Sequence, residues 1–130
     1  MKPERARILV VDDDPLVREI LARILDLEDL TVRVAADGES AVRDVHEQRP
    51  DAIVLDVGLP GIDGFEVCEH LRADAQLATI PVVLLTGQDD DETRAAAARA
   101  GCADYLAKPF SPLALIETLR GLVAGLATRA

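Results

Sequence analysis

The chain has 130 residues, 49% of them apolar, which is enough for one compact domain with a good core. Its net charge of −10 sets the average surface against a polyanion, and no basic run offsets it, so nucleic-acid binding by these residues is not expected. No stretch approaches the ~18 apolar residues of a membrane span, and the opening MKPERARILV turns strand-like too early for a signal peptide, so a cytoplasmic location is expected.

Arg7 to Val11, RILVV, is the first strand-like run. Asp12, Asp13 and Asp14 follow, then Pro15. Asp14 has the short acceptor of a helix cap, and Pro15 suits the first helical position. Leu16, Val17, Ile20, Leu21, Ile24 and Leu25 recur on one face of that helix. After a turn near Glu28–Leu30, Thr31 to Ala35 forms a short second strand. Asp37-Gly38 punctuates the chain. A second helix is expected from about Glu39 to Gln48, with Ala41, Val42 and Val45 inward and Pro50 beyond its end. Ala52 to Leu55 is apolar throughout, as in a strand covered on both faces.

Gly64 to Arg72 predicts a third helix, with Phe65, Cys68 and Leu71 spaced three apart. Pro81 to Leu85 is a fourth strand, closed by Thr86-Gly87. The Ala-rich run Glu92 to Ala100 predicts a fourth helix, with Asp89, Asp90, Asp91 and Glu92 at its positive end and Gly101 stopping it. Ala103 to Ala107 is the last strand. Ser111 caps and Pro112 starts a closing helix that reaches about Leu126. Aromatic residues are scarce (Phe65, Tyr105 and Phe110), so the core must be built from Val, Ile, Leu and Ala.

Five strands alternating with five helices predict a parallel sheet with helices on both faces, within one domain over residues 1–130. Right-handed crossovers and the chain length favour the order 2-1-3-4-5. The polar residues gather at the strand ends. Strand one is followed by Asp12 and Asp13, strand three by Asp56, strand four by Thr86 and strand five by Lys108. Such sheets bind ligands at their carboxyl ends, and strands one and three flank the switch point. Asp12, Asp13 and Asp56 are expected to converge there. Three carboxylates in one cleft repel each other unless a hard cation neutralises them, and magnesium suits a few carboxylates plus a phosphate. Lys108 adds a positive charge suited to phosphate oxygens, and Thr86 a hydroxyl donor. Together these groups describe phosphoryl chemistry on an aspartate nucleophile.

ILVVDDDP, LDVGLPGIDG, PVVLLTG and YLAKPF match, in order and spacing, the receiver domain of bacterial two-component response regulators, from about Ala6 to Leu122. The resemblance implies a three-layer αβα sandwich of the flavodoxin-like (βα)5 kind. It implies that Asp56 is the phosphoacceptor. Asp13 and Asp56 would ligate Mg2+ directly, Asp12 would act through metal-bound water, and Gly58 would supply its backbone carbonyl. Thr86 would donate to one phosphoryl oxygen and Lys108 would pair with another. The phosphoryl donor would be a phosphohistidine on a sensor histidine kinase or a histidine phosphotransfer protein. Phosphorylation and dephosphorylation at Asp56 would be self-catalysed. Thr86 and Tyr105 would move together as the switch. The surface of helix four, strand five and helix five would then address an output domain, a protein target or a second copy in a homodimer. Lys108-Pro109 resembles the family's cis peptide.

The sequence departs from that pattern at Gly58, where a larger residue is usual, and Gly87 also removes bulk. Both point to a site open to partners and water, with a short-lived phosphoryl bond. His46 and His70 fall on helices and read as surface residues, not donors. Cys68 and Cys102 read as two isolated, reduced, partly buried thiols, too few for a metal cluster or disulfide framework. Three other readings compete. An aspartyl-nucleophile phosphohydrolase would want a second acid where Gly58 stands, and a cap domain. A flavin or nucleotide binder would want a glycine-rich loop where the three acids stand. A docking module without phosphorylation would not need the intact acceptor, acid pair, threonine and lysine. The closing GLVAGLATRA is not an output domain, so a stand-alone receiver or a piece of a longer regulator is expected.

Overall fold

The computed structural model describes residues 5–127; the opening MKPE and residues 128–130, which the sequence places in the same single domain, lie outside the described residues. The chain order is β1 (Arg7–Val11), α1 (Pro15–Leu27), β2 (Thr31–Ala35), α2 (Gly38–Glu47), β3 (Ala52–Asp56), α3 (Gly64–Arg72), β4 (Val82–Thr86), α4 (Asp91–Arg99), β5 (Asp104–Ala107) and α5 (Pro112–Ala127). The five strands form one parallel sheet in the order β2-β1-β3-β4-β5. This is the flavodoxin-like (βα)5 sandwich.

Every residue of β3 and β4 is buried, because helices cover both faces of the sheet centre. Alternate strand residues feed two apolar layers. Leu9, Val11, Ile53, Leu55, Val82 and Leu84 pack with α2, α3 and Ala97 of α4. Ile8, Val10, Val54, Val83 and Leu85 pack with Leu21 and Leu25 of α1 and with Leu115 and Leu119 of α5. Removing one such leucine side chain would cost about 2–5 kcal/mol.

Helix starts follow local chemistry. Asp14 caps α1 by accepting from Leu16 N–H at 2.9 Å, and Ser111 Oγ accepts from Ala114 N–H at 3.0 Å. Asp37 caps α2 and Asp90 caps α4. Asp63 and Glu66 form a reciprocal capping box at α3, a D-x-x-E signal in the sequence that went unread.

The apolar stripe of α1 is wider than its buried face. Its six residues span about half the helix circumference. The sheet covers the part around Leu21 and Leu25, leaving Leu16 62% and Ile20 47% exposed. Strands three and four each end one residue later than expected, so Asp56 and Thr86 are themselves the last strand residues. Cys68 and Cys102 are free thiols, as read, but not isolated in space: their sulfurs lie 3.4 Å apart.

Candidate functional site

The register of the sheet sets the site. Val11 pairs with Leu55, so Asp12 and Asp56 leave neighbouring strands at the same level. Asp12 N–H donates to the Ala35 carbonyl at 3.2 Å, which carries the β1 ladder one residue further. The chain after Asp56 turns back at once. Gly61 holds φ +74°, and a Cβ at Gly64 would stand 2.7 Å from the Asp56 carbonyl oxygen. Glycine is therefore required at both positions for the loop to close over the strand end. Thr86 pairs with Ala107, and Lys108 N–H donates to the Thr86 carbonyl at 2.6 Å. The Lys108-Pro109 peptide is cis.

Carboxylate oxygens of Asp12, Asp13 and Asp56 all lie within 4.8 Å of one another. Asp12 is 1% exposed and Asp56 8%, while Asp13 faces solvent. Lys108 Nζ reaches both buried acids, at 3.4 Å from Asp56 Oδ1 and 3.5 Å from Asp12 Oδ2. Asp12 Oδ1 accepts from Asp14 N–H at 2.9 Å, and Asp56 Oδ1 from Gly58 N–H at 3.3 Å. Burial pushes the Asp12 carboxyl up from its ordinary value; the Asp14 N–H and Lys108 oppose this, and the Asp56 charge adds to it.

Three carboxylates against one ammonium leave two negative charges without a partner in the cluster. All the donors are hard oxygens. Such a set fits a divalent cation of the magnesium kind, which favours carboxylate, carbonyl and water ligands.

Thr86 and Tyr105 stand outside this cluster. Thr86 Oγ1 donates to the Gln88 carbonyl at 3.2 Å and accepts from Gln88 N–H at 3.1 Å. Tyr105 Oη donates to Asp89 Oδ1 at 2.8 Å and accepts from Arg94 Nε. Arg94 also binds Asp89 at 3.1 Å, and the two partners hold that carboxyl below its ordinary range. Gly58 and Gly87 have open space where a side chain would be. His46 and His70 are exposed on α2 and α3.

Two groups escaped the sequence reading. Arg18 donates to the Asp12 carbonyl at 2.8 Å and pins the loop that carries the acids. Its position four residues after the Asp14 cap was an available signal, one helical turn from the acids. Asp89 and Arg94 tether Tyr105, whereas the sequence marks Asp89 only as charge at a helix end. Nothing local marks that contact, because Tyr105 arrives from another strand.

Residues 8–120 match the family described as response regulator receiver domain. The chain belongs to that family. This receiver is 45% identical over 117 residues to the response regulator MprA of Mycobacterium ulcerans (strain Agy99), covering 90% of the chain and 50% of MprA. It thus spans about half the length of the curated relatives it matches. Among solved structures, it resembles the chemotaxis response regulator CheY4 of Vibrio cholerae, with TM-score 0.86, 31% identity and coverage of 91% of this chain and 98% of that one. It also resembles the signal receiver domain of a signal transduction histidine kinase from Syntrophus aciditrophicus, with TM-score 0.87, 33% identity and coverage of 92% and 91%. A signalling role as a phosphoacceptor module follows from family membership. No helix among the described residues is long and apolar enough to cross a membrane.

Proposed function

We propose that residues 1–130 act as one receiver domain that accepts a phosphoryl group on Asp56, in the cytoplasm, from a phosphohistidine of a sensor histidine kinase or phosphotransfer protein. The observation that carries this reading is the Asp56 carboxylate at the end of β3, held among two further acids with Lys108 at 3.4 Å. An Asp56 oxygen attacks phosphorus, the new O–P bond forms, and the P–N bond to the donor imidazole breaks with its electron pair going to nitrogen. Lys108, already beside Asp56, stabilises charge on a phosphoryl oxygen as it builds. Thr86 turns its hydroxyl from Gln88 toward another oxygen. Asp12, Asp13 and Asp56, with the Gly58 carbonyl, would hold Mg2+. When bound, the ion offsets the carboxylate charge and adds positive charge near the transferring group.

Release of Thr86 from Gln88 frees the segment that carries Asp89, and with it the tether on Tyr105. The surface of α4, β5 and α5 then presents a second arrangement to an output domain, a protein target or another copy of the chain. Water returns the site to its starting state by attack on phosphorus, releasing phosphate and the Asp56 carboxylate. Open space at Gly58 and Gly87 supports easy access for that water.

The test is direct. The chain is incubated with acetyl phosphate, with and without magnesium, and intact mass is recorded. The wild type gains one phosphoryl group only with the metal, and Asp56→Asn gains none. Equal labelling of Asp56→Asn overturns the assignment.

A further inference from the structure

Cys68 and Cys102 take no part in the carboxylate site, yet the fold brings their sulfurs to 3.4 Å across 34 residues of chain. Cys68 is fully buried on the inner face of α3. Cys102 is half-buried and follows Gly101 in the connection from α4 to β5. Arg72 sits against that connection. It donates to the Gly101 carbonyl and to the Ala78 carbonyl, and a Cβ on Gly101 would lie 2.5 Å from its Nε.

A sealed pair of thiols is ordinary apolar packing. This pair is asymmetric. Cys102 is reachable from solvent, and Arg72 holds the carbonyl of the residue before it. Cys68 has neither solvent nor room to leave. We propose that Cys68 and Cys102 form a dithiol site that a hydroperoxide oxidises to an intramolecular disulfide, fastening α3 to the end of α4.

The roles follow from the surroundings. The Cys68 hydrogen bond and the Arg72 charge lower the Cys102 thiol below its ordinary value, while contact and burial raise Cys68. Cys102 is also the one sulfur of the pair that a hydroperoxide in solvent can reach, so it is the attacking thiolate. Its sulfur attacks the terminal peroxide oxygen, the O–O bond breaks, and the leaving alkoxide, or hydroxide from hydrogen peroxide, takes up the proton Cys102 released. Cys102 becomes a sulfenic acid and the alcohol or water departs. Cys68 sulfur then attacks Cys102 sulfur. The S–S bond forms, the S–O bond breaks, and hydroxide leaves as water with the Cys68 proton. Two thiols and one hydroperoxide give one disulfide, water and the reduced peroxide fragment. Closure from 3.4 Å to the ~2.05 Å of a disulfide falls to Cys102, which belongs to neither helix nor strand. The reaction is independent of Asp56, so its outcome separates cleanly from that of the phosphoacceptor reading.

The full chain, reduced and then treated with a few equivalents of hydrogen peroxide at neutral pH, is assayed for free thiols after denaturation, by intact mass and by non-reducing peptide mapping. A chain unfolded in urea serves as the control. Both thiols are expected to disappear together in a monomer lighter by two hydrogen atoms, with Cys68 and Cys102 peptides linked, and dithiothreitol reverses the change. Dimedone traps at least about tenfold less sulfenic acid in the folded chain than in the unfolded one, because the partner sulfur is already in place. Cys68→Ser stops at a Cys102 sulfenic acid that dimedone traps, and Cys102→Ser leaves Cys68 unreactive. Disulfide-linked dimers, sulfinic acid without a link, or as much trapped sulfenic acid in the folded chain as in the unfolded one would overturn the proposal.

Discussion

At Gly58 the proposed function puts a point of access for water to Asp56. A Cβ there meets nothing within 4 Å, so Gly58→Met or Gly58→Asn fits without disturbing the backbone. Either variant is expected to lengthen the phosphoryl lifetime severalfold, timed by mass or radiolabel after removing the donor. An unchanged lifetime in both would show that access at this position does not limit hydrolysis. Asp12 carries a second residue-scale consequence. Its folded pKa is raised by burial, so the folded state binds its proton more tightly than the unfolded state. Stability therefore falls as pH rises from the ordinary carboxylate value through the raised one, and stays lower above it. Without divalent cation at neutral pH, Asp12→Asn is expected to stabilise the fold by about 1 kcal/mol, or roughly 4 °C in Tm. That gain disappears as pH falls below the raised value. A Tm loss at neutral pH in metal-free buffer would contradict the account.

At the scale of elements, α4 is held lightly. Ala97 is its one buried helical residue among Asp91–Arg99, while β3 and β4 are buried throughout. Few apolar contacts place a helix at the low end of local stability. The amide protons of α4 are expected to change exchange rate when beryllofluoride and magnesium occupy the site, whereas those of β3 stay protected. Identical exchange in α4 would remove this helix from the switch. Asp90 accepts from Thr93 N–H at 2.7 Å, so Asp90→Ala is expected to speed exchange at the start of α4 by roughly fivefold. The sequence showed these elements well, because alternation, caps and glycine stops are local signals. It showed the α1 stripe but not which part of it is buried, since periodicity reports amphipathicity and not how much of a helix its neighbours cover. It also missed the Cys68–Cys102 contact and the Asp89–Arg94–Tyr105 cluster, which exist only once β5 has joined the sheet.

Across the whole molecule, parallel strand order does the functional positioning. Asp12, Asp13, Asp56 and Lys108 were legible as a set because each stands at a strand's carboxyl end. Thr86 and Tyr105 were legible as residues, but their partners were not. Beside the site, Val17, Ile20 and Ile24 of α1 with Pro109, Phe110 and Pro112 line an apolar groove of about 290 Å3 that also includes Lys108. Under the proposed function a donor protein brings its phosphohistidine to Asp56, and this exposed apolar wall suits such a partner. Ile20 is 47% exposed, so Ile20→Asp is expected to leave the fold intact. It should slow transfer from a phosphorylated histidine protein at least about tenfold, the scale of an interface anchor, and leave labelling by acetyl phosphate unchanged. Equal slowing with both donors would place the defect at Asp56 and not in docking. The central claim, that acids from separate strands make Asp56 the one acceptor, meets its most direct test in borohydride reduction of the phosphorylated chain. Reduction converts an aspartyl phosphate to homoserine, and peptide mapping should find homoserine at position 56 alone, and only in samples that contained magnesium. Homoserine at another aspartate, or the same yield without the metal, would contradict the account.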